Sequence, residues 1–101
     1  MENNTFVGKK VIVRGDRSGV FFGTLVEKDR REVKLTNCRR LWRWYGGASI
    51  SQLAAEGTVE PDRCMFTMTV DEVLILDAIE INLCTPKAIS SIEGVKVWKM
   101  S

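Results

Sequence analysis

Gly23 stands in the middle of a run, Val20-Phe21-Phe22-Gly23-Thr24-Leu25-Val26-Glu27, whose other members favour extended backbone. A glycine at that place admits a bulge or a sharp bend, so the run reads as one strand that turns a corner. A flat sheet has no need of such a corner, whereas a small barrel does. The neighbours agree. Lys9 to Arg14 alternates as a first strand, and Gly15-Asp16-Arg17-Ser18-Gly19 is a glycine-bracketed loop whose Arg-Gly-Asp tripeptide is coincidental. Lys28-Asp29-Arg30-Arg31 makes a hairpin turn into a third strand, Glu32 to Thr36, with Val33 and Leu35 inward.

Helices are marked by their ends. Ser49-Ile50-Ser51-Gln52 fits a capping box, giving a helix from Ile50 to Glu56 closed by Gly57. Thr85-Pro86 opens a second helix that runs to Glu93 and stops at Gly94. Between them, Cys64 to Val70 alternates as a strand, with Phe66, Met68 and Val70 on one face. The run from Val73 to Leu83 fits either a helix face or strands, and the alternation Ile79-Glu80-Ile81 favours strand. Val95 to Met100 reads as a last strand at a sheet edge or a subunit boundary. The expected fold is therefore mainly β with two short helices (α+β), a small antiparallel, bent, barrel-like sheet in a single domain spanning residues 1–101.

Charge is unevenly placed. Residues 1–45 carry 11 Lys+Arg against 5 Asp+Glu, and residues 46–101 carry 4 against 8, within a formal net charge of only +2. That suits an anion-binding face or head-to-tail subunit contacts better than bulk electrostatic attraction. The chain has no histidine, which removes Ser-His-Asp and Cys-His nucleophile systems and the common zinc ligand sets. Its three cysteines, Cys38, Cys64 and Cys84, are odd in number and lack CxxC spacing, as in a reducing compartment. With no secretory leader and no membrane-length apolar run, the expectation is a cytoplasmic protein without membrane partner, metal, cofactor or catalysis. Asp71-Glu72 is a pair of carboxylates with nothing convergent around it and reads as solvated turn.

The functional centre is expected in the stretch from Asn37 to Ser51. It concentrates Arg39, Arg40 and Arg43 with Trp42, Trp44 and Tyr45 before Gly46-Gly47 and the first helix. Guanidinium forks match phosphate oxygens, and aromatic faces stack on bases. Strict alternation puts Arg39, Leu41, Arg43 and Tyr45 on one face and Arg40, Trp42 and Trp44 on the other, with Asn37-Cys38 as the natural place for a bulge that changes the facing. Phe66 is the candidate to close the pocket. The competing reading of the same residues is that the aromatics are core and the arginines a solvated edge.

Gly19 to Asp29 followed by Val33-Lys34-Leu35 resembles the strand-bend-strand of Sm-like and SH3-like barrels, although Val33 stands where the Sm pattern has asparagine and the second Sm motif is missing. Segments Val11 to Arg14, Gly23 to Leu25, Arg39 to Trp42, Ser49 to Glu56 and Asp77 to Ile81 are similar to small proteins encoded by phages and prophages. Among phage proteins of this size are sponges that sequester nucleotide signals of host defence. The resemblance implies a non-enzymatic, homo-oligomeric protein capturing a small anionic nucleotide, of cyclic nucleotide or cyclic ADP-ribose type, for immune evasion. The alternatives are a barrel binding single-stranded nucleic acid and an inhibitor that docks on a host enzyme.

Overall fold

The computed structural model describes residues 6–99, and within them six antiparallel strands and two helices follow in the order β1 (Lys10–Gly15), β2 (Val20–Asp29), β3 (Glu32–Arg43), α1 (Ile50–Glu56), β4 (Met65–Phe66), β5 (Val70–Ile75), β6 (Ala78–Leu83) and α2 (Pro86–Glu93). The α+β class is as the sequence implies. The sheet runs β4-β3-β2-β1-β6, with β5 on the same strand as β4 but along its other half. It curls without closing, so barrel-like holds only loosely. The Ala78 amide donates to the Arg31 carbonyl at 3.0 Å where the start of β6 meets the β2–β3 hairpin.

The curl follows from two irregularities in the β2–β3 pairing, one between Phe22 and Thr24 and one between Leu25 and Glu27. At the first, Asn37 takes a left-handed conformation, φ 48°, and inserts the extra residue on β3. Opposite it, Gly23 lies so close to β3 that a Cβ would stand 3.0 Å from the Thr36 carbonyl oxygen and 3.2 Å from the Cys38 Cα. The bulge expected at Asn37-Cys38 is therefore present, and it does change the facing. Before it Val33 and Leu35 point into one core; after it Cys38 does so, while Leu41 points into the other.

Both faces of the sheet are consequently buried. Val11, Val13, Phe21, Leu25 and Leu35 fill the space inside the curl. Ile12, Phe22 and Leu41 face the helices and meet Leu53 of α1 with Ala88 and Ile92 of α2. Each fully buried side chain of this size contributes roughly 1.5–3 kcal/mol. The caps hold as the sequence implies: Ser49 accepts from the Gln52 amide at 3.1 Å, and Thr85 accepts from the Ala88 amide at 3.1 Å.

Two expectations are corrected. Cys64 to Val70 is not one strand. Only Met65–Phe66 pairs with β3, and pairing resumes at Val70, with Met68 and Val70 exposed while Phe66 is fully buried. The interruption lies opposite Arg39 and Arg40, where the Thr67 hydroxyl accepts from the Arg40 amide at 2.9 Å and the Thr67 carbonyl accepts from Arg39 Nε at 2.9 Å. The ambiguous run is strand, but broken at Leu76-Asp77 into β5 and β6. The terminal strand reduces to a parallel bridge, Phe66 to Val97, with the Trp98 amide donating to the Phe66 carbonyl; Met100 lies outside the described residues.

Replacing Asn37 with Val, which resists positive φ, should cost roughly 1–2 kcal/mol in urea denaturation, while Asn37→Gly should be near neutral. Gly23→Val should cost on the order of 1–3 kcal/mol by overpacking against β3.

Candidate functional site

Strand β3 carries two adjacent arginines to opposite faces of the sheet, and the two have unrelated chemistry. Arg39 points toward the helix layer and is 5% exposed. Its Nε donates to the Thr67 carbonyl at 2.9 Å, Nη1 to the carbonyls of Ile92 at 2.9 Å and Val95 at 3.1 Å, and Nη2 to that of Phe66 at 3.2 Å. The guanidinium also lies 5.5 Å from the Phe66 ring centre. Burial pulls its pKa below the ordinary value, but an arginine starts so high that it keeps its charge. Arg39 is thus consumed by folding and is withdrawn from the ligand set. Phe66, fully buried among helix-side residues, is withdrawn with it.

The rest of the stretch divides as well. Trp44 is half-buried and packs against the helix-side core. The Tyr45 ring is covered by the Arg63 guanidinium at 4.0 Å, and its carbonyl accepts from the Thr58 hydroxyl. Neither Trp44 nor Tyr45 lines the two depressions that Arg40 borders. Arg43 is exposed at the end of β3, as is Trp42, 61% exposed, where the register with β4 shifts between Leu41 and Arg43.

Arg40 is the residue around which a site forms. Its guanidinium lies 4.5 Å from the centre of the Phe21 ring, and Nη1 donates to the Ser18 carbonyl. No carboxylate lies within ion-pair distance of it among the described residues. It borders an open groove of about 470 Å³ with Arg17, Ser18, Val73, Leu74, Leu76 and Asp77. A second, smaller depression of about 180 Å³ adjoins it, reaching Cys38, Thr67, Met68 and Val70.

The groove wall that holds Arg40 is built by Asp77. Its carboxylate accepts from the Arg17 amide at 2.8 Å, the Ser18 amide at 3.1 Å and the Ser18 hydroxyl. These bonds, the Ser18 hydroxyl foremost, hold its pKa below the ordinary carboxylate value. Gly15 closes the same loop, because a Cβ there would collide with Ser18 and come within 2.7 Å of Asp77 Oδ1. So a contact across 59 residues of sequence fixes the carbonyl that in turn fixes Arg40. Sequence reasoning missed Arg17, Ser18 and Asp77, since nothing in the local pattern joins the β1–β2 loop to the β5–β6 turn.

Other chemistry has little support here. Burial pushes the Cys38 thiol up to about 11 and that of Cys84 up to about 12, so both are protonated at neutral pH. Among the described residues no group of three or more His, Cys, Asp or Glu is placed to hold a metal ion. Asp71 and Glu72 are exposed on β5, where Glu72 lies 4.0 Å from Lys34. No helix among the described residues is long and apolar enough to cross a membrane.

A family model described as "Domain of unknown function (DUF6948)" matches residues 8–92. That range contains all six strands, all but the last residue of α2, and the whole Arg40 groove. No curated protein matches the chain.

Arg39→Met should lower stability by about 3 kcal/mol or more, because four carbonyls lose a charged donor around a buried side chain, whereas Arg43→Ala should stay within about 0.5 kcal/mol of the parent. Asp77 stabilises the fold above its unfolded pKa near 3.9, and that contribution fades as pH falls through the lower folded value. Asp77→Asn should therefore melt at lower temperature at neutral pH, with the gap to the parent narrowing below about pH 4.

Proposed function

We propose that this chain, which belongs to the DUF6948 family, is a non-catalytic binding protein that holds a phosphate-bearing nucleotide ligand in the groove bordered by Arg40. The observation that carries the reading is the state of that guanidinium. It is oriented by Phe21 below and by the Ser18 carbonyl at one edge, has no carboxylate counter-ion among the described residues, and faces open space. A planar cation held this way has lost most of its rotational freedom before the ligand arrives, and its remaining N–H groups suit phosphate oxygens.

The walls suit the other half of a nucleotide. Val73, Leu74 and Leu76 give the groove an apolar side. Arg17 supplies a second cation on the loop that Asp77 anchors. Asp77 itself is a carboxylate in an anion site, but its charge is met by three donors from Arg17 and Ser18. The resemblance to phage-borne chains supports stoichiometric capture, with protonated thiols adding weight to binding without turnover. Of the sites foreseen in the sequence, Arg40 lines the groove, while Trp42 and Arg43 are exposed on β3 outside it.

A second reading has its own observation. Met68, Val70, Leu74 and Leu76 are exposed together along the two depressions, an apolar rim that also suits a protein partner.

A melting series with AMP, GMP and their cyclic forms decides. The nucleotide reading expects at least one to raise the melting temperature in the parent and in Arg43→Ala but not in Arg40→Ala, whose own melting point should fall little. Equal shifts in parent and Arg40→Ala, or no shift with any of them, would remove it and leave the protein-partner reading.

A further inference from the structure

The stacked pair of Arg40 and Phe21 does not sit at the end of a groove; it stands between two. The larger depression lies toward the β1–β2 loop and the far end of β5, with Leu74 and Leu76 on its wall. The smaller lies toward the β4–β5 connection, with Met68 and Val70 on its wall. Phe21, Arg40 and Val73 belong to both. A ligand whose anion ends in a terminal phosphate would use one side of Arg40 and leave the other open. A ligand with its anion in the middle, and a flat apolar group on either flank, would use both.

We propose that the ligand is a phosphodiester joining two nucleosides, with the bridging phosphate on Arg40 and one base in each depression. This rests on the nucleotide reading above and narrows its ligand class. The larger depression takes the first base against Leu74 and Leu76, and the smaller takes the second against Met68 and Val70. Aromatic and apolar surfaces that accept a base are tolerant of its identity, so the recognition is for linkage and spacing more than for sequence. The smaller depression also explains an otherwise idle feature, the exposure of Met68 and Val70 beside a buried Phe66 in a run whose alternation would have placed all three together. Methionine is a flexible, polarisable wall that adapts to a planar group.

Calorimetry on the full chain with AMP, the dinucleoside monophosphate ApA and oligo(A) of eight residues tests the inference. ApA should bind about tenfold or more tightly than AMP, the gain that one added stacked base brings. Met68→Ser, at an exposed position, should bring ApA down to the affinity that the same variant has for AMP; Arg40→Ala should abolish binding of both. If AMP binds through Arg40 but ApA is no tighter, or if Met68→Ser keeps the advantage, the two-base inference is overturned while the nucleotide reading stands. If the eightfold oligomer binds far more tightly per chain than ApA, the site is a segment of a continuous single-strand track and the two-base limit is wrong. If neither AMP nor ApA binds the parent, both the inference and the reading beneath it fall.

Discussion

One buried cation ties the sheet to the helix layer at the end of α2. Arg39 reaches from β3 to the carbonyls of Phe66 and Thr67 on one side and of Ile92 and Val95 on the other, tying the end of α2 and the chain after β4 to the strand that pairs with both β4 and β5. A guanidinium with five donors in a rigid plane can serve four acceptors at once, which an ammonium cannot do with the same geometry. Two of those carbonyls, of Phe66 and Ile92, also accept backbone amides from Trp98 and Val95, and leaving a buried polar group unpaired costs about 1–3 kcal/mol. Among the described residues no buried side-chain polar atom lacks a partner.

Arg39 in its place has a consequence one residue along. Alternation in β3 sends Arg40 to the other face, beside Phe21 and under the loop that Asp77 holds. One arginine builds the protein and its neighbour is left oriented but unneutralised. The bulge at Asn37 sets this phase, because without the extra residue the two would exchange faces. Fold and site are linked through a single backbone irregularity.

That link also marks the boundary of what the sequence discloses. Strands, caps and the bend at Gly23 are local properties, carried by alternation, by Ser49 and Thr85, and by the glycine itself, and they are legible. The bulge at Asn37-Cys38 is legible too, since a facing change was needed between Val33-Leu35 and the arginines. Which arginine is consumed is not legible, because its four acceptors come from residues 27 to 56 positions away. For the same reason Phe66 reads as a pocket wall in the sequence and is core in the structure, and the Arg17, Ser18 and Asp77 wall goes unseen. Density of arginine and tryptophan points to β3 as a whole; only the three-dimensional acceptor set separates structural from available cations.

The contrast between the two neighbours can be read in one experiment, a ¹H–¹⁵N titration that follows arginine Nε–H signals as a nucleotide is added. The account predicts a slowly exchanging Arg39 Nε–H that stays in place, and an Arg40 Nε–H in fast exchange with water that moves with the Phe21 ring as ligand is added. An Arg39 signal that exchanges freely and shifts with ligand, beside an indifferent Arg40, would contradict it.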